Sequence, residues 1–207
     1  MALAYLALGD SYTIGEGVAR ADRWPVQLAT ALQEAGLVVA EPQIIATTGW
    51  TTDELDAGID AAAPQGSFGL VSLLIGVNDQ YRGRSVDDYR PRFTALLQRA
   101  LGFAGNQPQH VLVLSIPDWG VTPYAREAKR DPAQIARELD AYNAAAQAIC
   151  AEHAVAFVDI TAVSRARGAE AGMLVDDGLH PSGAMYTEWT RLALPVARTQ
   201  LDDEATR

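Results

Sequence analysis

Cysteine and histidine are scarce in this sequence. Its 207 residues include one cysteine, Cys150, and 3 histidines. A single cysteine cannot form a disulfide within the chain, which excludes a disulfide-stabilised fold and permits a reducing compartment. A zinc site made of cysteine and histidine is disfavoured for the same reason. The sequence therefore predicts no metal and no other cofactor.

Positive charge is also in short supply. The chain has 16 lysines and arginines against 26 aspartates and glutamates, which gives a formal net charge of −10. The electric field of such a chain repels polyanions, so nucleic acid and an anionic membrane surface are disfavoured as partners. A small anion can still be met locally by a basic pair such as Arg82 and Arg84.

Long apolar runs are missing as well. No stretch approaches the roughly 18 apolar residues that cross a bilayer. The apolar segment 3–8 has no basic residue before it and runs directly into Gly9-Asp10-Ser11, unlike a signal peptide. We therefore expect a soluble, cytoplasmic protein without membrane insertion. Nothing in the sequence indicates the oligomeric state.

Short apolar runs alternate with longer amphipathic segments along the chain. Hydrophobic residues make up 49% and charged residues 20%, which is typical of a globular protein. Five apolar runs predict buried strands, and they lie at 3–8, 37–46, 69–75, 110–116 and 154–160. With helical segments between them, the pattern predicts an α/β fold with a parallel sheet covered on both faces. No linker divides the chain, so we expect a single domain over residues 1–207.

Helix boundaries are marked at several points. Thr51 and Glu54 have the spacing of a capping box at the start of a helix. The last helix is expected to begin near Ser182 and to end or kink at Pro195. In an open parallel sheet the ligand lies beyond the carboxyl ends of the strands. The loops that follow the strands are therefore the place to look for chemistry.

The loop after the first predicted strand contains Gly9-Asp10-Ser11. A serine at such a junction can project its hydroxyl into a site, while its own N–H remains free to donate a hydrogen bond. A simple turn explains the same residues, because Asp and Ser satisfy local backbone groups. The glycines here fit neither of the common phosphate-binding patterns.

The next two loops offer hydrogen-bond donors. Gly49 allows a backbone N–H to approach a reacting atom closely, and the side-chain amide of Asn78 can add a second donor. An oxyanion hole needs such donors, aimed at charge that develops in the transition state. Taken alone, Gly49 also suits a helix lead-in and Asn78 suits an Asx turn.

A polar loop near the C-terminus contains Asp176, Asp177 and His180. Imidazole is the usual base that activates serine, and a carboxylate on its other nitrogen fixes its tautomer and orientation. Asp177 can supply that carboxylate, with Asp176 as the alternative. His180 alone would equally suit a surface loop. Together with Ser11, these residues are the parts of a serine hydrolase, without the Gly-x-Ser-x-Gly elbow of α/β-hydrolases.

In combination, these loops resemble the sequence blocks of the SGNH, or GDSL-type, hydrolases. Four blocks carry the resemblance in order along almost the whole chain: Gly9-Asp10-Ser11, Gly49, Gly76-Val77-Asn78-Asp79 and Asp177-Gly178-Leu179-His180. The resemblance implies a three-layer α/β/α, flavodoxin-like fold with a five-stranded parallel sheet. Two departures stand out: Tyr12 replaces the leucine of the family name, and residues 44–48 lack the asparagine common before the second block.

Catalytic roles also follow from this resemblance. Ser11 would be the nucleophile, His180 the general base and then acid, and Asp177 the carboxylate that orients His180. The oxyanion hole would consist of the Ser11 N–H, the Gly49 N–H and the Asn78 side chain. The implied activity is hydrolysis of a small-molecule carboxylic ester through an acyl-enzyme, of the lysophospholipase or acyl-esterase kind.

Aromatic residues in or beside the predicted loops are candidates for the substrate pocket. They are Trp50, Tyr81, Trp119 and Tyr124. Aromatic side chains can line a pocket for an acyl chain or a sugar ring, although they also commonly belong to the local core. A carbohydrate acetylesterase, a thioesterase or an acyltransferase with the same triad would equally fit the motifs.

Two more remote alternatives come from other classes of protein. A metal phosphoesterase would use four of the loop residues as ligands, namely Asp10, Asn78, Asp79 and His180. A non-catalytic flavodoxin-like binding module would need neither Ser11 nor His180, because a fold does not determine a function.

Overall fold

Five parallel strands form one sheet in the computed structural model, which describes residues 2–205. The strands are β1 (Tyr5–Gly9), β2 (Gln43–Ala46), β3 (Leu70–Leu74), β4 (Val111–Leu114) and β5 (Ala156–Val158). Their order across the sheet is β2-β1-β3-β4-β5, and every neighbouring pair is parallel. The five-stranded parallel sheet predicted from the apolar runs is confirmed.

Helices cover both faces of this sheet. They are α1 (Ser11–Ile14), α2 (Trp24–Glu34), α3 (Thr52–Ala62), α4 (Val77–Tyr81), α5 (Val86–Phe103), α6 (Pro123–Glu127), α7 (Pro132–Glu152), α8 (Thr161–Arg167) and α9 (Gly183–Ala205). The helix α9 packs against α2 and α8, while α5 packs against α3 and α7. The result is the predicted three-layer α/β/α, flavodoxin-like arrangement. No helix within residues 2–205 has the length and apolar character to cross a membrane.

The second apolar run is shorter as a strand than expected. The sequence predicts a strand over 37–46, whereas β2 covers only Gln43–Ala46. The segment before it makes one isolated bridge, between Leu3 and Val39. Val38 is 66% exposed, and Pro42 has no N–H with which to extend a ladder of hydrogen bonds.

The helix boundaries follow local chemistry, with one correction. Thr51 and Glu54 form the predicted capping box, in which the Thr51 N–H donates to a Glu54 carboxylate oxygen at 2.9 Å. The helix α9 begins at the expected place and continues through Pro195, so of the two outcomes expected there, an end or a kink, the helix does not end. Ala193 and Ala197 are buried on either side of this proline, so packing outweighs the backbone hydrogen bond that proline removes.

The strand order determines where a ligand can lie. Because β1 lies between β2 and β3, the chain leaves β1 towards one side of the sheet and β3 towards the other. The loops after these two strands therefore diverge, and a crevice opens between them at the carboxyl edge. Ser11 follows β1 and Asn78 follows β3, so both lie at this crevice.

Candidate active site

Ser11 is the first residue of α1, directly after β1. The Asp10 side chain caps this short helix by accepting the Tyr12 N–H at 3.0 Å. Gly9 is required at the end of the strand, because a Cβ there would lie 2.2 Å from the Thr13 hydroxyl oxygen. Ser11 is thus held in a tight strand-to-helix turn, and its small exposed fraction of 5% faces a cavity.

His180 and Asp177 are bonded to each other. The His180 Nδ1 lies 2.5 Å from the Asp177 Oδ2, and the Asp177 Oδ1 accepts the N–H groups of Leu179 and His180 at 2.8 and 2.9 Å. Partial burial alone would raise the pKa of Asp177, but these hydrogen bonds outweigh it and lower that pKa below its usual range. The ionised Asp177 holds a proton on Nδ1, which leaves the His180 Nε2 as an acceptor.

Asp176 occupies a different environment from Asp177. It is exposed, and its carboxylate forms no hydrogen bond with any residue that the structure describes. Of the two acids that the sequence offered as partners for His180, only Asp177 contacts the imidazole.

Gly49 and Asn78 offer their donors at the same edge of the sheet. Gly49 lies in a turn closed by the Trp50 N–H and the Thr47 carbonyl at 3.2 Å, and its φ of +86° suits glycine. Its own N–H meets no acceptor among residues 2–205. The Asn78 Nδ2 donates one hydrogen to the Trp50 carbonyl at 2.8 Å and keeps its second hydrogen for another acceptor.

One cavity of about 190 Å³ joins these groups. Ser11, Gly49, Asn78 and His180 all line it, although they come from four separate segments of the chain. The structure therefore brings the predicted nucleophile, the imidazole and both predicted donor loops to one place. Asp177 lies behind His180 as its hydrogen-bond partner.

Three of the four predicted aromatic residues also line this cavity, namely Tyr81, Trp119 and Tyr124. The hydroxyl oxygens of Tyr81 and Tyr124 are 3.1 Å apart, so the two rings meet through a hydrogen bond. Trp50 is the exception, because its indole packs against Gly58 of α3. The turn that directs Gly49 towards the cavity turns the Trp50 side chain away from it.

Some residues at the site were not singled out from the sequence. Thr48, Val77 and Leu179 line the cavity beside the predicted residues, and adjacency along the chain was the only signal for them. Arg82 donates to the Gly49 carbonyl at 2.7 Å and thereby helps to hold the Gly49 turn. No sequence motif indicates that contact, because it joins residues from two different loops.

Asp79, the residue after Asn78, holds neighbouring parts of the site together through buried hydrogen bonds. It is fully buried, and its carboxylate accepts the Thr52 N–H, the Thr52 hydroxyl and the Arg84 guanidinium at 2.9, 2.8 and 3.0 Å. These contacts occupy both oxygens that a metal phosphoesterase would need. Within residues 2–205, no group of three or more His, Cys, Asp or Glu side chains is arranged to hold a metal ion.

Comparisons with known proteins agree with this geometry. The model of the GDSL-like lipase/acylhydrolase family matches residues 7–187. The solved structure of TesA is similar with a TM-score of 0.74 and 21% identity, over 95% of this chain and 99% of TesA. A lipase/acylhydrolase from Enterococcus faecalis gives a TM-score of 0.70 and 18% identity, over 97% of both chains.

A third solved structure has a more specific description. Axe2, an acetyl-xylooligosaccharide esterase from Geobacillus, gives a TM-score of 0.67 and 20% identity, over 94% of both chains. No curated protein matches the sequence significantly. The family match nevertheless spans most of the chain, and it confirms the resemblance seen in the four sequence blocks. This protein therefore belongs to the GDSL-like lipase/acylhydrolase family and is a carboxylic ester hydrolase.

Proposed function

We propose that this protein hydrolyses small-molecule carboxylic esters through an acyl-enzyme formed on Ser11. The observation that carries the proposal is the 2.5 Å contact between Asp177 and His180, with His180 and Ser11 on the same cavity. An imidazole with its proton fixed on Nδ1 can accept the serine proton at Nε2. Ser11, His180 and Asp177 then act as nucleophile, base and orienting acid.

The first half of the reaction transfers the acyl group. His180 takes the proton of the Ser11 hydroxyl as Oγ attacks the ester carbonyl carbon, and the carbonyl oxygen becomes an oxyanion. Three donors are available for that charge: the Ser11 N–H, the Gly49 N–H and the second hydrogen of the Asn78 amide. The intermediate collapses, the bond to the alcohol oxygen breaks, and His180 gives its proton to the departing alcohol.

The second half releases the acid. A water molecule attacks the acyl carbon while His180 takes one of its protons, and the same three donors hold the new oxyanion. The bond to Ser11 breaks, His180 returns the proton to Oγ, and the carboxylic acid leaves. The rigidity of the donors supports this role, because the Gly49 turn is held by Arg82 and Asn78 is held by the Trp50 carbonyl.

The shape of the cavity bears on the substrate. Its volume of about 190 Å³ and its aromatic wall suit a small acyl ester, which is consistent with a lysophospholipase or acyl-esterase activity. A carbohydrate acetylesterase is the second candidate. The three rings at the cavity favour it, as does the similarity to the acetyl-xylooligosaccharide esterase. A thioesterase and an acyltransferase would use the same groups, with a thiol leaving or another alcohol accepting.

The test is hydrolysis of nitrophenyl esters from acetyl to long acyl, for the parent protein and for Ser11→Ala, each with and without a chelator. We expect activity that depends on Ser11 and is unaffected by the chelator, and the preferred chain length will report the pocket size. An acetyl optimum with release of acetate from acetylated sugars would favour the second candidate. Activity that survives in Ser11→Ala would contradict the serine mechanism.

Adjacent acids allow a matched comparison within the same assay. We expect Asp177→Asn to lower kcat by about 10²–10⁴-fold, because the amide no longer holds the catalytic tautomer of His180. Asp176→Asn makes the same chemical change one residue earlier and is expected to leave kcat within about twofold, as surface changes away from a site usually do. Equal losses in the two variants would show that Asp177 has no special role.

A further inference from the structure

Arg130 lies next to two of the aromatic rings that line the cavity. The carbon of its guanidinium is 5.3 Å from the centre of the Tyr81 ring and 5.5 Å from that of Trp119. Both rings line the cavity. At these distances the cation is attracted to the aromatic faces, which restrains a side chain that would otherwise move freely.

The backbone turns back after α6, and this turn places Arg130 near the Tyr81 and Trp119 rings. The Arg130 N–H donates to the Ala125 carbonyl at 3.1 Å, and the Lys129 N–H donates to the Arg126 carbonyl at the same distance. Lys129 has a φ of +53°, a left-handed conformation that is unfavourable for a residue with a side chain. The chain thus reverses sharply at this point, directly before Arg130.

The other arginines beside the cavity already have acidic partners. Arg82 pairs with Glu54 and donates to the Gly49 carbonyl, and Arg84 pairs with the buried Asp79. These are the two residues that the sequence offered as a basic pair for a small anion, and their charge is neutralised. Arg130 is only half-buried and forms no ion pair within residues 2–205. In a chain with a net charge of −10, such a cation stands out.

Donors converge around Arg130. One of the Tyr81 and Tyr124 hydroxyls donates to the other across 3.1 Å, so one hydroxyl hydrogen is left over at the cavity. The guanidinium adds a planar fork of N–H groups, which matches two oxygens of a phosphate or a carboxylate. Contact with the rings uses none of the guanidinium N–H groups as hydrogen-bond donors to an acceptor atom, so these groups can donate to such a partner.

We propose that Arg130 makes this enzyme prefer esters that carry a phosphate or carboxylate group near the scissile bond. This inference rests on the proposed function, because it assigns a substrate class to the same cavity. The anionic group could belong to the acyl part or to the alcohol part of the ester. The two cases share the recognition chemistry and can be separated by the choice of substrate.

The experiment compares charged esters with related neutral esters in two arms. The first arm uses nitrophenyl monoadipate against nitrophenyl heptanoate, which differ by a carboxylate on the acyl part. The second arm uses acetylated glycerol phosphate against acetylated glycerol, which differ by a phosphate on the alcohol part. The proteins are the parent, Arg130→Gln and Arg126→Gln. Arg126 belongs to α6 and is exposed, so its substitution removes the same charge close by.

In at least one arm we expect Arg130→Gln to lower kcat/KM for the charged ester by about tenfold or more, the size of effect typical of a charge-assisted hydrogen bond. The neutral ester should change by less than about twofold, and Arg126→Gln should change neither ester. The preference of the parent should weaken as salt is added, because the contact is at the solvent-exposed rim.

Two results would overturn the inference. Equal losses for charged and neutral esters in Arg130→Gln would mean that Arg130 only holds the aromatic wall. Equal effects of Arg130→Gln and Arg126→Gln would mean a general charge effect. In both cases Ser11-dependent hydrolysis of the neutral esters would leave the proposed function intact. Failure of the parent to hydrolyse any ester would instead remove the proposed function, and this inference with it.

Discussion

Asp10, next to the candidate nucleophile, is a residue whose pKa is changed by burial. Its side chain is fully buried, and one oxygen caps α1 through the Tyr12 N–H. The other oxygen has no hydrogen-bond partner among the described residues. Burial, opposed by the bond from Tyr12 and reinforced by the nearby charge of Asp79, raises the pKa of Asp10 to about 7. Asp10 is therefore largely protonated below neutral pH in the folded protein.

This raised pKa makes stability depend on pH in a definite direction. In the unfolded chain Asp10 loses its proton near pH 4, whereas the folded protein retains it up to about pH 7. The contribution of Asp10 to stability is thus complete below pH 4 and is lost as the pH rises towards 7. We expect the Asp10→Asn variant not to lose this stability as the pH rises, because the amide does not ionise.

The measurement is urea unfolding of the parent and of Asp10→Asn at several pH values from 4 to 8. The free energy of unfolding of the variant, minus that of the parent, should rise by up to about 4 kcal/mol over this range and level off above pH 7. Asp176→Asn, at an exposed acid, should show no such rise. Parallel curves for Asp10→Asn and the parent would contradict the raised pKa.

Among single residues, the location of the motif residues at the site could be predicted from the sequence. The direction of the Trp50 side chain could not. Ser11, Asn78 and His180 have side chains whose chemistry is recognisable at a strand end, and the structure brings them to one cavity. The direction of the Trp50 side chain depends on the turn at Gly49 and on space against α3. That space is produced by packing, and no local pattern reports it.

At the scale of secondary structure elements, Asp79 joins α3 to the loop that carries Asn78. Its carboxylate accepts two hydrogen bonds from Thr52 at the start of α3 and one from Arg84. The start of α3 follows the Gly49 turn directly. One buried carboxylate therefore fixes the relative position of the two loops that supply the proposed oxyanion donors.

We expect Asp79→Ala to lower the free energy of unfolding by about 3–5 kcal/mol, because it leaves the Thr52 donors and Arg84 without their buried partner. Asp53→Ala is the matched control, since Asp53 pairs with the same arginine at the surface and should cost less than about 1 kcal/mol. Urea unfolding of the two variants measures the difference. Similar losses would mean that burial of Asp79 adds nothing to the ion pair.

At the scale of the whole molecule, α2 near the start of the chain packs against α9, the last helix. Gln27 of α2 donates to the Gly183 carbonyl at 3.0 Å and accepts the Thr187 hydroxyl at 2.8 Å, although Gln27 and Gly183 are 156 residues apart. In the same interface the Trp189 ring lies 6.0 Å from Tyr12, and the Tyr12 ring lies 6.1 Å from His180. The last helix is thereby coupled to the residues of the site.

We expect Trp189→Ala to lower the free energy of unfolding by about 3–5 kcal/mol, because Trp189 is fully buried and its removal leaves a large cavity. Turnover should also fall below the parent level under conditions where the variant is fully folded, since Tyr12 loses its support. Leu192→Ala on the same helix is the control: Leu192 is 40% exposed and should change stability by less than about 0.5 kcal/mol. Unchanged turnover in folded Trp189→Ala would exclude the coupling.

The amino-acid pattern alone predicts the α/β class, the number of strands and the loops that carry the chemistry. Buried strands need continuous apolar runs, and nucleophile, base and donors need particular side chains, so both leave a local signature. Three features became visible only in the folded protein: which acid contacts His180, where Trp50 points, and that Arg82 binds Gly49 while Arg130 has no ion pair among the described residues. Those outcomes depend on how turns and side chains pack in three dimensions, which no local pattern encodes.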